Sequence, residues 1–186
     1  MEKILSWVIF FCLIAYINIF TEAQTNAVNL IDFTCKQTPD YNLCVSTLKS
    51  DPRTPSAKDV KALATILVDQ VHRKAILTQG HTRALSKDPI FDSKTKEFLT
   101  RCTIRYGHIL NWIVSAKLSM AANDYSKAQD YIKALPTHIE LCEREFESLA
   151  HVKSPITDVS KAMDDIAKVA VAVVTYKYMH PAPPMN

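Results

Sequence analysis

The stretch that decides the fold is FLTRCTIRYGHILNWIVSAKLSMAANDYSKAQDYIKALPTHIELCEREF, residues 98–146. Apolar side chains recur in it every three or four residues, through Phe98, Cys102, Tyr106, Ile109, Ile113, Ala116 and Met120, and later through Ala128, Ile132, Leu135, Ile139, Cys142 and Phe146. This periodicity predicts two amphipathic helices, over about 92–122 and 126–150, that share one core. The short Asn123-Asp124 connection favours antiparallel neighbours. Pro136 lies inside the later pattern, so we expect that helix to kink or split there.

Two further helical patterns flank this pair. The earlier one starts at Ser56, with Asp59 three residues later in a capping-box-like arrangement, and continues to about Lys87. The later one has Ser154 as its predicted cap and Pro155 in its first turn. Four such helices, with short connections between the later ones, are typical of a helix bundle.

Shorter helical segments precede the bundle, at about 28–34 and 41–49, and a Pro39-Asp40 turn joins them. We therefore predict an all-α protein, an up-down-up-down four-helix bundle preceded by a small N-terminal helical hairpin. The expected division is a signal peptide over 1–23, the hairpin over 24–55, the bundle over 56–178 and a C-terminal tail over 179–186.

Composition excludes several classes of protein. The chain has 186 residues, of which 48% are hydrophobic and 22% charged, so a packed core is expected. Glycine occurs only twice, which argues against β-sandwiches with tight turns and against a glycine-rich phosphate-binding loop. A net charge of +3 is too small to indicate a nucleic-acid partner.

The N-terminus has the features of a secretory signal. Lys3 precedes an apolar run from Ile4 to Phe20, and Thr21-Glu22-Ala23 offers small residues near a cleavage site. The alternative is an uncleaved membrane anchor, for which the run is slightly short. We expect the mature protein to be secreted, with no membrane partner after signal cleavage.

Cysteine usage agrees with secretion. Cys12 lies in the signal, which leaves four cysteines and predicts two disulfides. Cys35 and Cys44 lie at nearly equal distances on either side of the Pro39-Asp40 turn. Cys102 and Cys142 lie at nearly the same height on adjacent antiparallel helices, so we expect the pairs Cys35–Cys44 and Cys102–Cys142.

No sequence pattern for catalysis appears. The chain has no HExxH, GxSxG or CxxC motif, so we predict no enzyme activity, no metal site and no cofactor. The best candidates for partner contact are Asp124, Tyr125 and Lys127, beside an exposed turn where aromatic and basic side chains can anchor an interface. Alternatively, Tyr125 packs back onto its own helix.

The charges are unevenly divided along the chain. Residues 57–122 hold 11 basic and 5 acidic groups, whereas residues 123–165 hold 5 basic and 9 acidic groups. Either this presents a basic surface to an acidic partner, or neighbouring helices complement each other within the bundle.

Several segments resemble the plant invertase and pectin methylesterase inhibitor family. They are Thr34-Cys35-Lys36-Gln37-Thr38-Pro39-Asp40-Tyr41-Asn42-Leu43-Cys44, Ser50-Asp51-Pro52-Arg53, Asp124-Tyr125-x-x-Ala128, Ala134-Leu135, Cys142-Glu143-x-x-Phe146 and Ser154-Pro155-Ile156-Thr157. The resemblance implies a secreted four-helix bundle with a helical hairpin, and the family's disulfides correspond to the two expected pairs. It also implies a function: binding a plant cell-wall or vacuolar invertase, or a pectin methylesterase, and blocking its active site.

The resemblance leaves the target enzyme open. Invertase inhibitors of this family carry Pro-Lys-Phe just after the turn between the second and third bundle helices, where this chain has Tyr125-Ser126-Lys127. An invertase (β-fructofuranosidase) is favoured, because the opening hairpin and the Ser154-Pro155 region look most like the family's invertase inhibitors. The alternatives are a pectin methylesterase inhibitor and a bundle that carries a small apolar ligand near Tyr106, Trp112 and Phe146.

Overall fold

A computed structural model describes Trp7 and residues 28–147 and 153–180. These ranges contain helices and no strand, in the order α1 (28–35), α2 (Tyr41–Lys49), a 3₁₀ turn (Thr54–Ser56), α3 (Val60–Leu85), α4 (Ser93–Ala121), α5 (Tyr125–Lys133), α6 (Leu135–Glu147) and α7 (Thr157–Met179). The expected signal peptide and the end of the expected tail lie outside the described residues, apart from Trp7.

The helices form the predicted bundle. Helix α3 packs against α4 and α7, and the consecutive helices α5 and α6 also pack against α4 and α7. The α5–α6 pair is therefore the third rod of an up-down-up-down bundle and lies diagonally across from α3. Every stripe residue that the sequence predicted in residues 98–146 is buried.

The third rod is broken where Pro136 predicted a break. Helix α5 ends at Lys133, Ala134 follows as its cap, and α6 begins at Leu135 with the proline in its first turn. Proline has no backbone N–H to continue the hydrogen-bond ladder, whereas the first turn of a helix tolerates it. The expectation of two shorter pieces is confirmed.

Two predicted helix starts are wrong by a few residues. Ser56 lies in the 3₁₀ turn instead, and α3 is capped by Asp59, whose side chain accepts from the Ala62 N–H at 2.8 Å. Ser154 does not cap α7, because its hydroxyl accepts a hydrogen bond from the N–H of Ile156, the residue immediately before the helix. In both places a local turn takes up the residues that the sequence assigned to the cap.

The N-terminal hairpin is closed by the Cys35–Cys44 disulfide, with Cα atoms 5.5 Å apart, as predicted. Helix α2 rests on α3 and α7. Just after it, the carboxylate of Asp51 is only 2% exposed and accepts hydrogen bonds from Arg53, Gln70 and Arg73 at 2.9 to 3.1 Å. Arg53 also binds Asp69, which binds Lys117 on α4. This network joins the end of the hairpin to the bundle.

The second predicted cysteine pair is adjacent but not bonded. Cys102 and Cys142 are buried as free thiols, and they are close enough to hydrogen-bond to each other. That hydrogen bond, together with burial, raises the pKa of Cys102 far above its ordinary value. The positions are as predicted, whereas the bond is not formed in this structure, so the second disulfide stays a prediction.

No helix in the described part of the chain combines the length and apolar character needed to cross a membrane.

Candidate functional site

The turn between α4 and α5, which holds the predicted partner-binding residues, lies beside the start of α3. The antiparallel topology brings these segments to one end of the bundle, and a hydrogen bond of 2.7 Å from Lys61 Nζ to Asn123 Oδ1 joins them. We call the surface formed by Lys58, Lys61, Asn123, Asp124 and Lys127 the basic corner.

The turn is fixed by its own backbone. Asn123 has a φ of 60°, the one positive φ of a non-glycine residue in the described ranges, and asparagine tolerates this left-handed conformation better than most residues do. The next residue, Asp124, caps α5 by accepting a hydrogen bond from the Lys127 N–H at 3.0 Å. The chain therefore reverses over very few residues and enters α5 in a defined direction.

Tyr125 does not face a partner. Its side chain is buried, with 8% exposed, and Lys177 of α7 lies over its ring at 5.9 Å. Burial raises the pKa of Tyr125 to about 12, and its hydroxyl has no hydrogen-bond partner among the described residues. Burial therefore argues against the interpretation of Tyr125 as a surface anchor, and the contact that the ring makes is with α7 and not with its own helix.

The lysines carry the exposed charge of the corner. Asp59 and Asp124 each use one carboxylate oxygen to accept a hydrogen bond from a backbone N–H at the start of a helix, where the helix dipole also favours negative charge. Lys58 and Lys127 are exposed and form no salt bridge with any described residue. An open groove of about 520 Å³ adjoins the corner and is lined by Arg53, Ser56, Ala57, Lys58, Asp59, Lys61, Ala62, Thr65 and Ile66.

The corner can bind but has no evident means of catalysis. Its five side chains are three amines, one amide and one carboxylate, and the carboxylate is engaged as a cap. They include no nucleophile with an adjacent base, the arrangement on which covalent catalysis depends. Positive charge on a rigid turn instead suits recognition of an acidic protein surface.

Some of the unevenly distributed charges form salt bridges between helices of the bundle. Arg101 and Arg105 of α4 both pair with Glu145 of α6, at 3.0 and 2.7 Å. Lys117 of α4 pairs with Asp69 of α3 at 2.7 Å. The contacts of Arg101 and Arg105 with Glu145 support the interpretation that a basic helix and an acidic helix complement each other within the bundle. The corner holds some of the positive charge that this pairing leaves uncompensated.

The aromatic residues considered for an apolar ligand mostly fill the core. The Tyr106 hydroxyl lies 3.2 Å from Ser160 Oγ, and Phe146 packs edge-to-face on Phe98 with ring centroids 5.8 Å apart. Trp112 lies at the surface, beside His138. The three side chains do not line a common cavity, so the structure offers no support for a carrier.

Three members of the corner were missed by the sequence argument, namely Lys58, Lys61 and Asn123. Asn123 was noted only as a connection, although asparagine at a short turn is itself a signal of positive φ. The lysines were treated as part of a helix start, and only the antiparallel packing of α3 against α4 brings them to the turn.

Comparison with known proteins identifies the family. Residues 29–173 match the family described as "Plant invertase/pectin methylesterase inhibitor". The chain is 34% identical over 146 residues to "Cell wall / vacuolar inhibitor of fructosidase 1" of Arabidopsis thaliana, which covers 78% of this chain and 67% of the relative. It is 25% identical over 145 residues to the "Pectinesterase inhibitor" of Actinidia deliciosa, which covers 78% of this chain and 77% of that one.

The fold has a counterpart among solved structures. A crystal structure of a mutant form of a pectin methylesterase inhibitor from Arabidopsis superimposes with a TM-score of 0.65 at 18% identity, covering 82% of this chain and 95% of that one. At this identity the likeness speaks for the fold alone. The family match, in contrast, extends over most of the chain and over every helix of the bundle. The chain therefore belongs to the plant invertase/pectin methylesterase inhibitor family, whose members inhibit enzymes and are not themselves enzymes.

Proposed function

We propose that this protein inhibits a plant invertase by binding the enzyme and covering its active-site cleft. The observation that carries the proposal is the 34% identity to an inhibitor of fructosidase over most of the chain, against 25% to a pectinesterase inhibitor. The preference for invertase made from the sequence points the same way. A pectin methylesterase is the alternative target, and the same assay distinguishes the two.

The corner is the part of the surface best suited to this role. Stable protein complexes bury about 800 Å² on each partner, which is more than one side chain can supply. The basic corner, with the adjoining groove, presents a continuous surface on segments fixed by the caps at Asp59 and Asp124. A rigid surface loses little conformational freedom on binding, so inhibition requires no chemistry by the inhibitor itself.

Lys127 is the member we expect to contact the enzyme most directly. Its side chain is exposed, and its backbone N–H is held by Asp124, so the side chain starts from a fixed point in the first turn of α5. A lysine at the edge of an interface steers association with an acidic surface and discriminates against wrong partners. Asp124 contributes by fixing this geometry.

The proposed setting is the cell wall, reached by secretion. The expected signal peptide at 1–23 supports export, and one relative is named for the cell wall and vacuole.

An inhibition assay tests the proposal. The purified protein is titrated at micromolar concentration against an acid invertase and a pectin methylesterase between pH 4.5 and 7. We expect stoichiometric inhibition of the invertase, and we expect Lys127→Glu to weaken it about ten-fold or more, since reversing a charge at an interface costs on the order of 1–2 kcal/mol.

Lys49→Glu is the matched control, because it makes the same change on an exposed residue in the last turn of α2. Its inhibition should equal that of the unaltered protein. If only the pectin methylesterase is inhibited, the choice of target is wrong; if neither enzyme is slowed or bound, the proposed function is wrong.

A further inference from the structure

A second groove lies between α4 and α6, nearer the N-terminal end of α4, whereas the basic corner adjoins its C-terminal end. It has a volume of about 470 Å³ and is lined by Arg101, Ile104, Arg105, His108, Trp112 and His138. This size falls in the range of small-ligand sites. None of these lining residues is acidic.

The two arginines are held in place from behind. Glu145 accepts from Arg101 Nε at 3.0 Å and from Arg105 Nη2 at 2.7 Å. Glu97 accepts from Arg101 Nη1 at 2.6 Å, and the Arg101 guanidinium lies over the Phe98 ring at 4.3 Å. Neither guanidinium uses all of its five N–H donors in these contacts. The Nε of Arg105 is buried and has no hydrogen-bond partner in the described part of the chain. That buried atom is out of a ligand's reach, so the donors that the groove presents are the terminal guanidinium N–H groups beyond those that Glu97 and Glu145 occupy.

An apolar platform adjoins these donors. The Trp112 ring is half-buried and meets the His138 ring edge-on, with centroids 4.3 Å apart, so the indole has a fixed orientation. Ile104, which lies one turn after Arg101 and directly precedes Arg105, is 58% exposed. A ligand in the groove thus meets an aromatic and aliphatic surface on one side and guanidinium groups on the other.

This combination fits one kind of ligand. Paired guanidinium donors suit a planar carboxylate, which they bind with matched geometry. An aromatic surface suits a ring with C–H faces, which gains by leaving water without needing hydrogen bonds. A hexuronate, a sugar ring that bears a carboxylate, has both features within a few ångströms of each other.

We propose that the groove between α4 and α6 binds a hexuronate residue, either free or as part of an acidic polysaccharide. The carboxylate meets Arg101 and Arg105, and the sugar ring lies against Trp112. Such a site attaches the protein to an acidic polysaccharide independently of its enzyme partner, so it adds a function beyond inhibition.

Titration calorimetry with defined sugars tests this proposal. The probes are a galacturonate disaccharide, its methyl ester, the corresponding polymer and inorganic phosphate. We expect the disaccharide to bind and its ester to bind about ten-fold or more weakly, because the ester removes the charge and keeps the ring. If the polymer competes with the disaccharide, the site also accepts hexuronate residues in the interior of a polysaccharide chain.

Variants locate the site. Arg105→Gln leaves Arg101 to pair with Glu145 and should weaken binding about ten-fold to a hundred-fold. Arg105→Lys keeps the charge without the planar fork and should still weaken binding several-fold. Trp112→Phe should weaken the binding of the disaccharide and of its ester to the same extent, because both keep the sugar ring that lies against Trp112. Lys49→Gln, which removes one positive charge from α2, should change nothing, and circular dichroism confirms that each variant is folded.

Four results overturn the proposal. One is equal binding of the disaccharide and its ester by the unaltered protein. A second is equal weakening by Arg105→Gln and Lys49→Gln, which indicates diffuse charge. The third is binding of the polymer with no binding of the disaccharide. The last is displacement by phosphate at the same concentration as the disaccharide, which indicates a general anion site.

Discussion

Replacing Asp51 with asparagine should destabilise the whole protein, because this buried carboxylate connects the hairpin to the bundle. One of its oxygens, Oδ1, accepts from the Arg53 backbone N–H at 3.0 Å and from Arg53 Nε at 2.9 Å. The other, Oδ2, accepts from Arg53 Nη2, Gln70 Nε2 and Arg73 Nη2 at 2.9 to 3.1 Å. An asparagine side chain can keep the two hydrogen bonds that Oδ1 accepts. In place of Oδ2 it has an NH₂ group, which cannot accept from the other three donors.

The magnitude follows from these contacts. A hydrogen bond to a charged group contributes about 1.5–3 kcal/mol when both partners are buried. Arg53 and Arg73 are about half exposed, with 49% and 58% of their side chains accessible, so water replaces much of what they lose. Counting about 1 kcal/mol for each of the three lost bonds gives a loss of about 2–4 kcal/mol in the free energy of unfolding. For a protein of this size that lowers Tm by about 5–12 °C.

The pH dependence has a defined sign. The side-chain hydrogen bonds from Arg53 hold the pKa of the Asp51 carboxyl well below its ordinary value. A carboxyl with a lowered pKa stabilises the folded state above its unfolded pKa of about 3.9 and loses that contribution as pH falls toward the folded value. The difference between Asp51→Asn and the unaltered protein should therefore be constant from about pH 5 to 7 and shrink below about pH 4.

Thermal and urea denaturation followed by circular dichroism measure this effect. Asp165→Asn is the control, since it makes the same change in an exposed ion pair with Lys161 on α7, worth about 0.3–0.5 kcal/mol. If Asp51→Asn destabilises the protein no more than Asp165→Asn does, or if its effect grows as the pH falls, the assigned role of Asp51 is wrong.

Three further predictions concern single positions. Asn123→Ala should lower the free energy of unfolding by about 1 kcal/mol in urea denaturation, because alanine tolerates a positive φ poorly. Asn123→Gly should stay within about 0.5 kcal/mol of the unaltered protein, and equal effects of the two changes would contradict this reasoning. Tyr125→Phe should raise the free energy of unfolding by about 0.5–1 kcal/mol, because it removes a buried hydroxyl that has no hydrogen-bond partner, and a clear loss of stability would show that the hydroxyl is satisfied. Alkylation under denaturing conditions of the protein made in a secreting host should label neither Cys102 nor Cys142 until a reductant is added, because adjacent buried thiols in an oxidising compartment form a disulfide; labelling of the denatured protein before reduction would rule out the second bond.

The bundle could be predicted because its signal is repetitive. From Phe98 to Phe146 the apolar residues keep a helical spacing on both sides of one short turn, and they keep it across the break at Pro136. The same regularity is enough to predict that Cys102 lies beside Cys142. Pro136 announced the break in the third rod because its effect on the backbone is local.

Features that depend on competition between neighbours were harder to predict. Ser56 and Ser154 are good capping residues, yet each lies in a tight turn that sets the helix start a few residues later. Tyr125 was correctly placed next to an exposed turn, but its direction depends on α7, where Lys177 covers it. The grouping of Lys61 with Asn123 required the packing of α3 on α4, which no local pattern contains.

At the basic corner, the residues that hold the fold in place are different from those that face a partner, and this affects how target preference can change. Asp59 and Asp124 hold the two chain entries in position, whereas Lys58 and Lys127 face outward and support nothing in the fold. Exchanging the outward lysines for other side chains should therefore leave the melting behaviour nearly untouched. Such a scaffold lets an inhibitor be retuned from one enzyme to another without first being restabilised.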